Sequence, residues 1–256
     1  MPPAATLRPT GAGWQFCPFF VRMLIGSGLV ARAFESFRED GRVLVFASGV
    51  SNSSSALEMD YLREQELLLS AGNTDAHLVY FSTCSVHDPA LADSGYIRHK
   101  LVMESLVRTL YPHHTIFRLP NLIGQTSNPH TLCNYLRNTI LAEAPLHVHA
   151  NACRYLMDVE EMASACGHMI RREAPSARTV HVCFDPPTPV PELVSFMEGV
   201  LGKKAQVLPE SRGSSYQVDN ASFKDHWTLE MHLPWPDRHH WKGTIVKYYA
   251  TSPATS

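Results

Sequence analysis

The sequence predicts an α/β fold built on an open, doubly wound parallel sheet. Three observations carry that reading: five short runs rich in β-branched and aromatic residues, helical periodicity between them, and a glycine turn directly after the first run. The runs are FVRMLI (20–25), RVLVFA (42–47), HLVYFS (77–82), HTIFRL (114–119) and RTVHVCF (178–184). Helices are predicted over 29–37, 56–70, 96–110, 131–142 and 190–201, each following one of the runs, with a further helix at 158–172 ahead of the fifth. Right-handed crossovers then cover both faces of the sheet.

Composition sets the frame. A chain of 256 residues, 45% of them apolar and 18% charged, is long enough to bury one substantial core and too short for two large ones. We therefore expect a single domain over 20–256, preceded by a flexible Pro/Ala/Gly-rich leader at 1–19. The formal net charge of −2 supplies no field to draw the chain onto nucleic acid or an anionic membrane. The apolar stretch FCPFFVRMLIGSGLVA is interrupted by Arg22, Gly26 and Gly28 and lacks a preceding basic cluster, so it reads neither as a signal sequence nor as a membrane span. Six scattered cysteines, Cys17, Cys84, Cys133, Cys153, Cys166 and Cys183, include no CxxC pair and suit reduced thiols in the cytoplasm. From about 205 the chain is less periodic and richer in His, Trp and Pro, which places it as a small cap on the carboxyl side of the sheet.

Ligands of such sheets sit beyond the carboxyl ends of the strands. After the first run come Gly26, Ser27, Gly28, Leu29, Val30 and Ala31, a turn whose glycines would let a pyrophosphate approach the backbone at the start of a helix. The same pattern also occurs in loops that bind nothing. After the second run, Ala47, Ser48 and Gly49 open a small-residue loop suited to a flat ribose or nicotinamide, or to an ordinary turn with a helix cap at Ser55. After the third run come Ser82, Thr83, Cys84, Ser85 and, further on, Tyr96 and Lys100. The i, i+4 spacing sets Tyr96 and Lys100 on one helix face, where an ammonium beside a phenol favours phenolate and lowers the tyrosine pKa, making Tyr96 an acid/base near neutrality.

In that order, the residues resemble the short-chain dehydrogenase/reductase superfamily, with its Rossmann-like fold, and within it the NAD-dependent epimerase/dehydratase branch acting on nucleotide sugars. VYFSTCSVHD resembles the branch's Ser/Thr strand end, YIRHK its Tyr/Lys pair, FRLPNLIG its Arg-x-x-Asn-x-x-Gly segment and RYLMDVEEM its diphosphate-gripping segment. The resemblance runs from Ile25 to about Val200. It implies an NAD or NADP cofactor held by Gly26, Ser27, Gly28, Leu29, Val30, Ala47, Ser48, Gly49, Tyr96, Lys100 and Pro120. It also implies catalysis by Thr83, Tyr96 and Lys100, and a nucleotide-sugar substrate on Ser85, Asn121 and Arg154, with substrate-binding elements mainly in 120–160 and 205–256. Polysaccharide or glycoside synthesis and a homodimer are further implications. Without the resemblance, Arg154 reads as a surface partner of Glu160 or Glu161.

Departures from the branch pattern narrow the expectation. The turn reads Gly26, Gly28, Ala31 where the branch has GxxGxxG, and Asp40-Gly41 leads straight into RVLVFASG, so two strands and a helix that normally read the adenosine ribose are missing. Cys84 and Ser85 stand where dehydratases carry Asp-Glu, leaving epimerisation or ketone reduction. Cys84, His87 and His130 are extra acid/base candidates, each with a structural alternative. The shortened half also leaves open a non-catalytic nucleotide- or sugar-binding protein, and a reductase of small carbonyl compounds stands as a third reading. The pairs His147/His149, His113/His114 and His239/His240 lack the converging partners a zinc site needs, so no metal is expected. Trp227, Trp235, Trp241, Tyr248 and Tyr249 are read as packing onto the core, with a substrate cap or a dimer face as alternatives.

Overall fold

The computed structural model describes residues 23–50, 58–72, 76–172 and 176–250. The leader expected at 1–19, the first three residues of the opening run, Cys17 and the cap expected at Ser55 lie outside the described residues. In chain order the strands are β1 (Leu24–Ile25), β2 (Val43–Phe46), β3 (His77–Thr83), β4 (His114–Leu119), β5 (Asn121–Ile123), β6 (Pro145–His149), β7 (Cys153–Arg154), β8 (Leu156–Asp158), β9 (Ala177–His181), β10 (Thr188–Pro189) and β11 (Gln206–Glu210). The helices are α1 (Leu29–Ala33), α2 (Glu58–Ser70), α3 (Gly95–Leu110), α4 (Leu132–Leu141), α5 (Val159–Arg172), α6 (Val190–Leu201), α7 (Ala221–Asp225) and α8 (His240–Tyr249).

Strands β1, β2, β3, β4 and β9 form one parallel sheet in that order, with Leu24, Val45, Val79, Thr115 and Arg178 aligned in a row across it. The two-residue alternation of a strand sorts the side chains into two cores. Val43, Val45, Val79 and Phe81 pack with Phe34, Met162 and Met169 beneath α1 and α5. Leu44, Phe46, Leu78 and Tyr80 pack with Leu68, Met103 and Val107 beneath α2 and α3. Each large side chain so buried stabilises the fold by about 1.5–3 kcal/mol.

Two predicted elements end early. The helix expected over 29–37 stops at Ala33, and a 3-10 turn at Glu35–Phe37 follows; the break lets the rings of Phe34 and Phe37 both turn into the core. The strand expected over 178–184 leaves the ladder after His181, because Cys183 turns to Cys84, Tyr155 and Tyr216 while Phe184 stacks edge-on against Trp227 and Trp235. The aromatic tail packs as expected. Trp241, Ile245 and Tyr249 of α8 join Leu136 of α4 and Leu193 of α6 in a third core, and the Tyr249 hydroxyl donates to Asn134 Oδ1 at 2.8 Å.

The sheet order locates the missing chain. In the doubly wound order 3-2-1-4-5-6, β1 to β4 take the places of strands 1, 4, 5 and 6. Among the described residues no strand pairs with the outer edge of β1, where strands 2 and 3 would stand.

Candidate active site

The carboxyl ends of β1 to β4 open into a cavity of about 760 Å³. Of the predicted site residues, Ser27, Gly28, Leu29, Val30, Ala47, Ser48, Gly49, Thr83, Ser85, Tyr96, Lys100, Pro120, Asn121 and Arg154 all line it. Gly26 does not. Its φ of 130° lies in the region that favours glycine, and a Cβ there would stand 2.4 Å from the Ala47 carbonyl oxygen, so Gly26 serves the close approach of β1's end to β2's. Helix α1 is only five residues long, a single turn and a half of aligned peptides, so its end offers a smaller field than the sequence suggested.

Tyr96 and Lys100 lie near the start of α3, capped by the Ser94 hydroxyl, which accepts from the Ile97 N–H at 3.2 Å. Lys100 Nζ sits 6.0 Å from the centre of the Tyr96 ring. Its charge is already committed: Nζ donates to Glu64 Oε1 at 3.1 Å and to the Tyr80 hydroxyl at 3.2 Å, and the Lys100 side chain is 4% exposed. Glu64, wholly buried on α2, also accepts from His99 Nε2 at 2.9 Å, from the Tyr80 hydroxyl at 2.8 Å and from the Val50 N–H at 2.7 Å. Burial alone would raise the Glu64 carboxyl, but the Lys100 charge and those donors outweigh it and hold the group at about 2. This corrects the expectation for Tyr96. Burial, then the Glu64 carboxylate, raise the Tyr96 phenol above its ordinary value against the pull of the neighbouring Thr83 hydroxyl, where the i, i+4 spacing alone had implied a lowered one.

Thr83 closes β3 and its Oγ1 accepts from the Ser85 N–H at 3.1 Å. Asn121 pairs through its backbone N–H with the Tyr155 carbonyl at 2.9 Å, which fixes it and Pro120 at the cavity wall. Arg154 pairs with neither Glu160 nor Glu161. Its Nη1 donates to buried Asp88 Oδ2 at 3.1 Å and to the Cys153 carbonyl at 2.7 Å, and the Ser214 hydroxyl donates to the other oxygen of Asp88. The extra candidates separate clearly. Cys84 is 1% exposed, its thiol donates to the Arg118 carbonyl, and burial pushes it up. His87 lies outside the cavity lining, its Nε2 2.9 Å from His181 Nε2 and 3.2 Å from Arg118 Nη1, while His130 lines the cavity.

Three residues were missed in the sequence. Glu64 is marked only by sharing a helical stripe with Leu68, which is also buried. Arg63, on the cavity wall, donates to Ser48 Oγ at 3.2 Å and to the Ser48 carbonyl at 3.3 Å, and nothing in its charged surroundings singles it out. Asp88 closes the quoted VYFSTCSVHD run, but nothing there marked it as the partner of Arg154. Among the described residues, no group of three or more His, Cys, Asp or Glu is arranged to hold a metal, and no helix is long and apolar enough to cross a membrane.

A nicotinamide dinucleotide fits this arrangement in one half. A Cβ on Gly28 would meet nothing within 4 Å, so the turn's backbone is open to the cavity beside Ala47–Gly49. Among the described residues no Asp or Glu lines the cavity, whereas Arg63 does, and so does Arg154 with the part of its fork not spent on Asp88, a balance that suits a diphosphate; the Lys100 charge is taken up by Glu64. Among the described residues, the adenosine half finds the outer edge of β1, with which no strand pairs.

No protein-family model and no curated protein matches the sequence. Solved structures do match, and they define the fold as that of the NAD-dependent UDP-sugar epimerases. A UDP-glucose 4-epimerase from Stenotrophomonas maltophila with bound NAD is 16% identical at a TM-score of 0.64, over 88% of this chain and 82% of that one. A UDP-glucuronic acid 4-epimerase from Bacillus cereus, in complex with UDP-glucuronic acid and NAD, is 15% identical at 0.63, over 88% and 78%. A Pseudomonas aeruginosa protein complexed with NADPH is 15% identical at 0.59, over 86% and 84%.

Proposed function

We propose that this chain is an NAD(P)-dependent epimerase or ketoreductase of a nucleotide-linked sugar. The observation that carries the reading is the convergence of Thr83, Tyr96, Lys100, Asn121 and Arg154 with the Gly28 turn on one cavity with cationic side chains in its wall. The solved structures with this fold that hold NAD, NADPH or UDP-sugars support it.

A bound nicotinamide supplies a hydride acceptor or donor beside the reacting carbon. Tyr96 then exchanges a proton with the sugar oxygen, and the Thr83 hydroxyl beside it steadies that oxygen by hydrogen bonding. Ser27–Val30 and Ala47–Gly49 would hold the dinucleotide, and Pro120 and Asn121 line the same cavity. Arg154, braced by Asp88, presents the remainder of its planar fork to the substrate's phosphates. Among the described residues no carboxylate lines the cavity to drive loss of water, so the dehydratase reaction is set aside.

The test is turnover of a nucleotide-sugar panel with NAD(H) and NADP(H). Tyr96→Phe is expected to lose at least about 100-fold in rate, the contribution of one positioned acid/base; equal turnover overturns the mechanism. That no strand among the described residues pairs with the outer edge of β1 favours a second reading, a nucleotide-sugar-binding protein without turnover. Calorimetry separates the two, since that reading requires that no dinucleotide bind tighter than millimolar.

A further inference from the structure

Glu64 is a buried acid that the proposed chemistry does not use. It takes five donated hydrogen bonds from four residues, and its partner Lys100 has Glu64 Oε1 at 3.1 Å, Glu64 Oε2 at 3.5 Å and the Tyr80 oxygen at 3.2 Å around its three N–H donors. The backbone closes over the pair: a Cβ on Gly49 would stand 2.7 Å from Lys100 Nζ and 3.3 Å from Glu64 Oε1. The ammonium that would favour a phenolate on Tyr96 is thus matched, at hydrogen-bond distance, by an equal and opposite charge.

The other charged or titratable groups packed around this pair leave that cancellation in place. His99, on α3, spends its Nε2 on Glu64 and stacks on Tyr61 of α2 at 4.4 Å. Tyr80, on β3, donates to Glu64. Glu104 is held by Ser82, Arg108 and Arg118. Arg63 is exposed at the cavity rim, held on Ser48, and screened by water.

We propose that Glu64 is a positioning residue that cancels the Lys100 charge and so keeps Tyr96 a neutral phenol, a proton donor toward a substrate oxygen, throughout the physiological pH range. The functional half of this statement rests on the catalytic reading of Tyr96 given above. In consequence the centre is poised to protonate the oxygen of a carbonyl substrate, the ketone-reducing direction, rather than to abstract a proton as a phenolate.

The test uses the ligand-free protein and the ultraviolet absorbance of tyrosinate. Subtracting the titration of Tyr96→Phe from that of the wild type isolates Tyr96. The expected result is no Tyr96 step below about pH 10, the ordinary phenol value. In Glu64→Gln, with Tyr96→Phe subtracted in the same background, the step is expected to fall by about one pH unit or more, because Lys100 is then uncompensated. Adding Lys100→Met to Glu64→Gln is expected to return it toward the wild-type position. A wild-type step below about pH 10, or an unmoved step in folded Glu64→Gln, overturns the proposal. Should Glu64→Gln fail to fold, Glu64→Asp, whose shorter arm draws the carboxylate back from Lys100, is titrated in its place; a lowered Tyr96 step is expected, and an unmoved step overturns the proposal. Because neither cofactor nor substrate is present, a failure here is separate from a failure of the enzymatic reading, which the turnover of Tyr96→Phe tests.

Discussion

Replacing Glu64 by Gln should destabilise the fold by an amount that depends on pH in a calculable way. The carboxyl stands at about 2 in the folded chain against an ordinary 4.5. At about 1.36 kcal/mol per pH unit, the difference is worth roughly 3 kcal/mol when the group is fully ionised. This agrees with the about 3–5 kcal/mol expected when one partner of a buried ion pair is removed. The sign follows from the depressed folded value: the stabilisation is present above pH 4.5 and is lost as pH falls through about 2. At pH 3 the same relation leaves about 1.4 kcal/mol, less than half. Urea unfolding of wild type and Glu64→Gln at pH 7, 4.5 and 3, followed by far-ultraviolet circular dichroism, measures the gap directly, and taking the difference cancels the titrating groups that do not interact with Glu64. A gap that stays constant from pH 7 to pH 3 would refute the claim that an ionised Glu64 holds Lys100, and a gap under about 1 kcal/mol at pH 7 would refute its burial as a charged pair.

Two further outcomes follow from local geometry. Gly26→Ala should lower the melting temperature sharply, by about 2 kcal/mol or more of stability, since a Cβ at φ 130° meets the Ala47 carbonyl at 2.4 Å and forces β1 from β2; a variant within about 0.5 kcal/mol of wild type would show that the contact relaxes freely. His226 is held at about 4, chiefly by burial and then by His168 and Arg178, so the fold favours its neutral ring and loses stability as pH falls from 6.5 toward 4. His226→Gln should flatten that part of a melting-temperature profile, and an unchanged slope would count against it.

Much of the scaffold was legible because its causes are local. The bounds of β4 and α6 coincide with the predicted 114–119 and 190–201, and those of α3 differ by one residue, because alternation and helical period are set by near neighbours. The same holds for Thr83, which ends β3 on the side to which all strand ends of a doubly wound sheet face, whereas Tyr96 on α3, Asn121 on β5 and Arg154 on β7 lie outside that sheet and were marked as site residues through the Tyr96/Lys100 spacing and the family resemblance. Where α1 and β9 ended early, the decision came from rings seeking distant cores, which no local window contains.

By itself, then, the sequence determined the parallel sheet, the absence of two strands after the first helix, and many of the side chains at the cavity, though it missed Arg63 and wrongly included Gly26. Only the tertiary structure decided their charges. Glu64 meets Lys100 across 36 residues and Arg154 meets Asp88 across 66, and whether such groups pair depends on how helices stack upon the sheet rather than on any spacing along the chain. That is why an i, i+4 ammonium predicted a lowered phenol at Tyr96, while the folded protein, with a buried carboxylate brought alongside, raises it.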